Sequence, residues 1–365
     1  MKTKNDIDID YIRQTFILAL KGKFTAHPNP MVGAIIVKNN KIISKGYHRH
    51  PGSAHAEQIA IKKAGSQAKK SNLYINLEPC CHYGRTPPCL DLIIQSKISR
   101  VVISSIDPNP LVNGFSIKKL RKAGIEVKIN VLKKEALDLN KNFFSKFINN
   151  RPFITAKSGI SLDGKISLSN GVSKWITSNA SRIDVHKERA ASSLILTSSN
   201  TVIADNPKLS VRGKALESKI CKQPDIAVLD SKLRIPLSSN IFSDKTRKIY
   251  LFTNRKSSRK KYRSNVVIVS NVTSNGKIDI KKCINYLASQ DINNIFIESG
   301  PRLIESFLKL KLIDELLLYI APKIIGYTGK NFSGVTYINK LSKKIKFSIN
   351  DMIPIGNDLK IRMVK

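Results

Sequence analysis

Short apolar runs of strand length alternate with amphipathic stretches of about ten residues over most of this chain, and no other feature limits its fold as much. The stretch YIRQTFILAL has helical periodicity and leads into a loop, HPNP. Two apolar runs around an Asn-Asn-Lys turn follow, VGAIIVKNNKIISKGY, and predict a hairpin. HAEQIAIKKAG then places Ala56, Ile59, Ala60 and Lys63 at helical spacing before a stop at Gly65. NLYINLEP predicts a strand, the residues from Pro88 a helix, RVVISS a strand, and SIKKLRKAGIEV a helix followed by a strand. The order β-β-α-β-α-β-α-β predicts a mixed or parallel sheet with both faces covered.

Around KNFFSKFINNRPF the pattern breaks, and a second set of elements starts with the strand FITAKSG. The runs SSLILTS, DIAVLD, KIYLF, NVVIVS, NIFIES and ELLLYIAP recur after it with helices between several of them, so the second half is also α/β. At 365 residues the chain is about twice the usual domain size. Two domains are expected, 1–149 and 150–365. Repeats and low-complexity linkers are absent, which excludes a solenoid. No apolar run approaches the roughly 18 residues that a bilayer crossing needs, and MKTKNDIDID lacks an apolar targeting core. A cytoplasmic protein without a membrane partner is expected, in which thiols stay reduced and clustered cysteines indicate metal or catalysis. The formal net charge of +37 invites a nucleic-acid reading. Lysine is, however, scattered along the whole chain beside abundant Asn and Ile, without a basic tail or basic aromatic repeat, so composition bias and anionic small molecules are favoured over nucleic acid.

The sharpest local signal is LEPCCHYGRTPPC at residues 77–89, which holds three of the five cysteines. A zinc ion that activates water takes three protein ligands and keeps one open position. His55, Cys80 and Cys89 supply such a set, with both cysteines near the expected start of a helix, where backbone N–H groups favour thiolate. Glu57 follows His55 by two residues and can reach a water on the ion without ligating it, the position of a proton shuttle. Cys81 and His82 read as neighbours of the site, because adjacent side chains point apart. Asn29 serves either the turn before the hairpin or a polar contact to substrate, and its residue type fits both.

This constellation resembles the zinc-dependent cytidine deaminase superfamily, with one departure: eight residues separate Cys80 from Cys89 where the usual signature has two. HPNPMVGAIIV, HAE, LEPCCHYGRTPPC and DPNPLVNG together resemble the deaminase half of the bifunctional riboflavin-biosynthesis deaminase/reductase family, whose spacing this is. The resemblance implies a cation for a phosphorylated substrate at Arg85, between the two ligands.

In the second half no Gly-x-Gly-x-x-Gly or Walker loop follows a strand. NIFIESGPRLIESF offers a strand ending at Glu298, a Gly-Pro turn and a helix start that can hold a phosphate. KSGISLDGKIS, SKWITS, HKERAASSLILTSSNTVIADNPKLSVR and IESGPRLIESFL with DELLLYIAPKIIG resemble the reductase half of the same family. The fold implied is a cytidine-deaminase-like three-layer α/β domain followed by a dihydrofolate-reductase-like α/β domain. For NADPH the resemblance points to Gly159, Trp175, Thr201, Asp205 and Ser231, and to Gly300, Pro301, Arg302, Leu303, Ile304, Glu305 and Ser306. For a pyrimidine ribosyl phosphate it points to Ser173, Arg189, Leu209, Arg212 and Glu298. It implies one zinc ion per chain, hydrolytic loss of an amine from the pyrimidine, reduction of ribosylamino to ribitylamino, and a homo-oligomer. Two other readings fit parts of the chain: a nucleic-acid base deaminase with an appended binding domain, and a zinc-stabilised nucleic-acid binder, which would require a fourth ligand and would leave Glu57 without a role.

Overall fold

The computed structural model describes residues 3–83, 87–255, 262–270, 272–274, 276–334 and 344–365. It divides into two compact units, Met1–Asn150 and Arg151–Lys365. Among the described residues, no helix is long and apolar enough to cross a membrane.

In the first unit helix α1 (Lys4–Ala19) precedes β1 (Gly33–Lys38), β2 (Lys41–Tyr47), α2 (Ala56–Ala64), β3 (Asn72–Ile75), α3 (Cys89–Gln95), β4 (Arg100–Ile103), α4 (Phe115–Lys122) and β5 (Glu126–Lys128). The sheet order is β2-β1-β3-β4-β5. β1 runs antiparallel to both of its neighbours, while β3, β4 and β5 are parallel. Alternation along β1 feeds two cores. Ala34 and Ile36 pack with Ala60, Ile93 and Leu120 from α2, α3 and α4, whereas Ile35 and Val37 pack with Ile12 and Leu18 of α1. Three layers result.

Two features depart from the expected elements. The strand read in NLYINLEP stops at Ile75, and the next residue, Asn76, pairs by its side chain: Oδ1 accepts from Gly33 N at 2.8 Å and Nδ2 donates to Met31 O at 2.9 Å. The stretch read as a break in the pattern carries helices α5 (Lys133–Leu139) and α6 (Lys141–Ile148). Between them Asn140 holds Met31 by both its backbone N–H and its carbonyl, at 2.8 and 2.9 Å.

Among the described residues the main sheet of the second unit has nine strands, beside two short two-stranded ribbons: β6 (Phe153–Ser161), β7 (Leu194–Ser198), β8 (Asp225–Leu229), β9 (Ile249–Phe252), β10 (Val266–Val269), β11 (Asn294–Glu298), β12 (Glu315–Ala321), β13 (Ser348–Ile355) and β14 (Asp358–Val364). Their order is β10-β9-β8-β7-β11-β6-β12-β14-β13, parallel from β10 to β12. The last two strands form an antiparallel hairpin that the apolar pattern does not mark. α7 (Asn179–Ala190) and α8 (Ser199–Asp205) supply Val185 and Val202 to smaller cores. α9 (Ile280–Ser289) and α10 (Pro301–Lys309) supply Leu287 and Phe307 to the main one. β11 lies between β6 and β7, so the chain reverses its direction of travel across the sheet there, and the carboxyl ends of these three strands form the crevice where open α/β sheets bind ligands.

One close approach fixes α2, the helix whose start carries the candidate metal site. A Cβ at Gly46 of β2 would lie 2.2 Å from Ala56 O and 2.8 Å from Ala60 N, so α2 rests directly on the strand. Replacing Gly46 by alanine is expected to destabilise the first unit by about 1–3 kcal/mol, through overpacking against backbone that cannot retreat. Chemical denaturation should show the loss, and a variant as stable as the wild type would contradict this contact.

Candidate functional site

In the first unit the site grows from three element ends. His55 is the residue before α2, and its backbone N–H donates to Gln58 Oε1 at 3.1 Å, a reciprocal cap that sets the imidazole at the helix start. Cys80 follows the end of β3, and Cys89 opens α3 with its backbone N–H directed to Cys80 Sγ at 3.3 Å. Gln58 Nε2 donates to Pro87 O at 3.0 Å and ties α2 to the loop before α3. The donor atoms of His55, Cys80 and Cys89 lie within 4.8 Å of one another. His55 Nδ1 is 3.4 Å from Cys80 Sγ and 3.3 Å from Cys89 Sγ. Tetrahedral zinc with bonds of about 2.3 Å to sulfur and 2.0 Å to nitrogen separates these atoms by about 3.5 Å, so the donor set fits the ion by chemistry and by spacing. The bare groups compete for protons: Cys80 is drawn well below the usual thiol range by hydrogen bonds from Cys89 and His55, and Cys89 is pushed up by Cys80 and by burial. A cation relieves that competition.

Glu57, in the first turn of α2, is 3% exposed, and burial pushes its carboxyl up to about 7 against the opposing pull of His55. Cys81 turns away and donates to Leu111 O at 3.3 Å. His82 Nδ1 is buried with no hydrogen-bond partner among the described residues. Arg85 lies outside the described residues. Asn29 Nδ2 is 3.0 Å from His48 Nε2, and His48 Nδ1 is 3.4 Å from Ala54 O, a pairing that suits a neutral imidazole. Burial and then His55, which meets the His48 ring edge-on at 5.4 Å, lower His48 to about 4.

Two further residues join this site that the sequence pattern does not single out. His48 follows the hairpin strand β2, and no spacing marks it. Asp107 follows β4 in DPNP, where burial raises its carboxyl to about 7 against the N–H of Asn109, with Glu78 and Cys80 adding to the rise. Its sequence signal is the DPNP motif, which carries the resemblance as a whole without marking the aspartate. Glu78 serves the fold instead. It accepts from the N–H groups of Gly114 at 2.9 Å, Ser116 at 3.1 Å, Asp107 at 3.3 Å and Ile117 at 3.4 Å, and so caps α4.

In the second unit Glu298 ends β11, and Thr201 and Gly300 lie at the starts of α8 and α10, which follow β7 and β11. Arg189 near the end of α7 grips Glu298 at the end of β11 with Nε to Oε1 at 2.5 Å and Nη2 to Oε2 at 3.0 Å. Burial alone would raise Glu298, yet Arg189, with Lys157 and His186, holds it below the usual carboxylate range. Lys157 pairs in register with Glu298, and burial keeps its ammonium below the ordinary value. A lysine inside the strand FITAKSG gives no sequence signal. Thr201 Oγ1 lies 3.2 Å from Ser299 Oγ, Ser299 Oγ lies 3.0 Å from Ser198 Oγ, and Gly300 N donates to Thr201 Oγ1 at 3.4 Å. These hydroxyls bring the starts of α8 and α10 together.

Leu209 and Arg212 lie on the loop after α8, where His186 Nδ1 accepts from Arg212 N at 3.2 Å. Gly159 sits on β6 with Thr177 packed 3.2 Å from where its Cβ would be. Exposed Trp175 has the Arg182 guanidinium 4.2 Å above its ring, and Ser173 is exposed nearby in the same loop. Ser231 follows β8, its carbonyl accepting from Thr253 Oγ1 and Asn254 N. Within residues 300–306, Leu303 and Ile304 direct their side chains into the core, and Glu305 pairs with Lys309, so only the backbone of those two leucine and isoleucine positions is open to a ligand. Asp205 ends α8, exposed.

Residues 6–105 match the cytidine and deoxycytidylate deaminase zinc-binding region, and residues 152–361 match the RibD C-terminal domain. The chain is 41% identical to the riboflavin biosynthesis protein RibD of Buchnera aphidicola over 98% of both chains. It is similar in structure to RibD of Acinetobacter baumannii, with a TM-score of 0.92 and 32% identity over 99% of both chains. A Thermotoga maritima structure described as a diaminohydroxyphosphoribosylaminopyrimidine deaminase/5-amino-6-(5-phosphoribosylamino)uracil reductase matches with a TM-score of 0.88 and 32% identity over 99% of both chains.

Replacing Glu298 by glutamine strands two buried cations, Arg189 and Lys157, and is expected to cost the second unit about 3–5 kcal/mol at neutral pH. Because the folded carboxyl titrates below its ordinary value of 4.5, the wild-type advantage is complete above that value and is lost as pH falls through the folded pKa. Denaturation of both proteins between neutral and acidic pH checks it; a difference that persists after Glu298 is protonated would contradict the ion-pair origin.

Proposed function

The chain belongs to the bifunctional riboflavin-biosynthesis deaminase/reductase family, and from that premise we propose how its residues divide the two reactions. The first unit hydrolyses an amine from a diamino-hydroxy-pyrimidine carrying a ribosyl phosphate, and the second reduces the ribosyl group of the product to ribityl. His55, Cys80 and Cys89 would hold zinc, which would supply a polarised water for attack on the amine-bearing ring carbon. Glu57 moves the protons. Its carboxyl, excluded from water and raised to about 7, accepts a proton from the attacking water and delivers it to the departing nitrogen, which leaves as ammonia. Asn29, held by His48, and Asp107 supply polar contacts to the pyrimidine, and Arg85 supplies the cation for its phosphate. The convergence of three zinc-type donor atoms within 4.8 Å beside a buried carboxyl carries this reading.

In the second unit NADPH, when bound, would supply the hydride. Thr201, Gly300 and the first turn of α10 offer hydroxyl and N–H donors suited to its phosphates, with Gly159, Trp175, Asp205, Ser231 and the backbone up to Ser306 along the rest of the cofactor. Ser173, Leu209 and Arg212 orient the ribosyl phosphate. Arg189 and Glu298 lock each other beside it, and Lys157 provides a cation at the floor of the crevice. Full-length similarity to enzymes of this kind supports the reading over a deaminase with an appended nucleic-acid-binding domain. We place the protein in the cytoplasm, where its five free cysteines stay reduced.

Replacing Glu57 by glutamine is expected to lower ammonia release by about 10²–10⁴-fold while zinc content and reductase activity hold. Ammonia release at the wild-type rate would remove Glu57 from the mechanism. We also propose a homo-oligomer. β13 is exposed along nearly its whole length at the sheet edge and carries Ile349, Met352 and Ile353 in water. Sedimentation should give a species above the 40.7 kDa monomer, and Met352→Glu should reduce it; a wild-type monomer at micromolar concentration would refute this.

A further inference from the structure

Residues 208–213 form neither helix nor strand, so nothing in regular structure pairs their backbone groups. Side chains do so instead. Arg247, 1% exposed, donates from Nη1 to Leu209 O at 2.8 Å and from Nη2 to Lys208 O at 2.5 Å. Gln223 takes both sides of Val211, accepting from its N–H at 2.7 Å and donating to its carbonyl at 3.1 Å. Arg189 Nη1 donates to Ser210 O at 2.9 Å, and Glu217 Oε1 accepts from Gly213 N at 3.0 Å. Leu209 is held at φ +47°, a left-handed conformation that is strained for a leucine.

Holding the loop in this way is expensive. The Arg247 guanidinium is buried with Asp244 at 3.9 Å from Nε, an ion-pair separation without a hydrogen bond, and Nε has no hydrogen-bond partner among the described residues. An apolar side chain of similar volume is often as stable or more stable at such a position. What arginine adds is geometry: a planar fork that fixes two consecutive carbonyls at once. The fixed loop in turn shares Arg189 with Glu298, so its placement and the aim of that ion pair are set together.

We propose that Arg247 and Gln223 are positioning residues for the reductase substrate: from beneath the loop they hold Leu209 and Arg212 where the ribosyl phosphate docks. This rests on the assignment of Leu209 and Arg212 to that substrate. The test uses the full chain, the deaminated ribosylamine phosphate and NADPH, with variants Arg247→Met, Arg247→Lys and Gln223→Leu. Arg247→Met and Gln223→Leu are each expected to raise KM for the phosphorylated substrate by about tenfold or more and to change kcat by less than about threefold, with KM for NADPH and ammonia release unchanged. Arg247→Lys, which keeps a donor for one carbonyl, should fall between. A role in stability alone predicts the opposite split, a smaller active fraction and lower kcat at unchanged KM, and that result in the soluble variants overturns the proposal. If Arg247→Met is recovered only as aggregate, Gln223→Leu decides by the same criterion, because it leaves the buried cation in place. A wild-type chain that fails to oxidise NADPH with this substrate overturns the underlying assignment, and is told apart because it precedes any variant.

Discussion

Where a strand hands over to a helix, the first turn of the helix leaves N–H groups without carbonyl partners, and in this chain the side chains that meet that need define both sites. Glu78 closes the start of α4, and its neighbours Pro79 and Cys80 are thereby fixed at the end of β3. The Cys80 sulfur accepts from the backbone of Cys89, so the contact that orders α3 is also a spacing within the donor triad. Ser198 and Thr201 do the same for α8 and reach across to Ser299 and Gly300 at the start of α10. One requirement of folding thus places polar atoms at the carboxyl ends of the strands, where open α/β sheets bind ligands.

Buried charge follows the same logic with larger stakes. Asp8 binds Arg100 through both carboxylate oxygens and also meets Lys128 and Tyr74, which docks α1 across three strands of the first sheet. In the second unit Asp184 and Glu188 of α7 meet Lys360 and Arg362 of β14, and Arg362 also meets Glu315 of β12. α7 is therefore fixed on one side by ion pairs to the hairpin and presents His186 and Arg189 on the other. Burial, then Arg189 and Arg212, lower His186 to about 4, so it stays neutral at physiological pH and accepts a hydrogen bond instead of adding a third cation.

The same polar networks explain what is legible in the sequence. Apolar runs mark the parallel strands because both of their faces are covered. The terminal hairpin escapes notice because Lys360 and Arg362 occupy a buried face as ion-pair members and disguise it as a solvated one. The strand at Ile75 reads too long because Asn76 satisfies backbone groups through its side chain. In the first site, the donors that spacing picks out, His55, Cys80 and Cys89, are those whose atoms meet, since a metal set has few solutions. His48, Lys157, His186 and Arg247 are single polar residues in strands, helices or loops. Their significance lies in contacts from distant parts of the chain, which no local pattern encodes.

Two glutamates of the first unit show why residue type alone does not assign a role. Both are 3% exposed, and burial raises both. Glu78 faces four backbone N–H donors, each stabilising the ionised form and weakened if the carboxyl takes up a proton, so its charge is spent on holding α4. Among the described residues Glu57 has no such cage of distant donors: its own backbone and Cys89 supply the hydrogen bonds, and its carboxyl rises to about 7. Little therefore holds Glu57 in its ionised form, and burial decides the direction of its shift. The difference between the two glutamates is the number of fixed N–H groups aimed at each among the described residues.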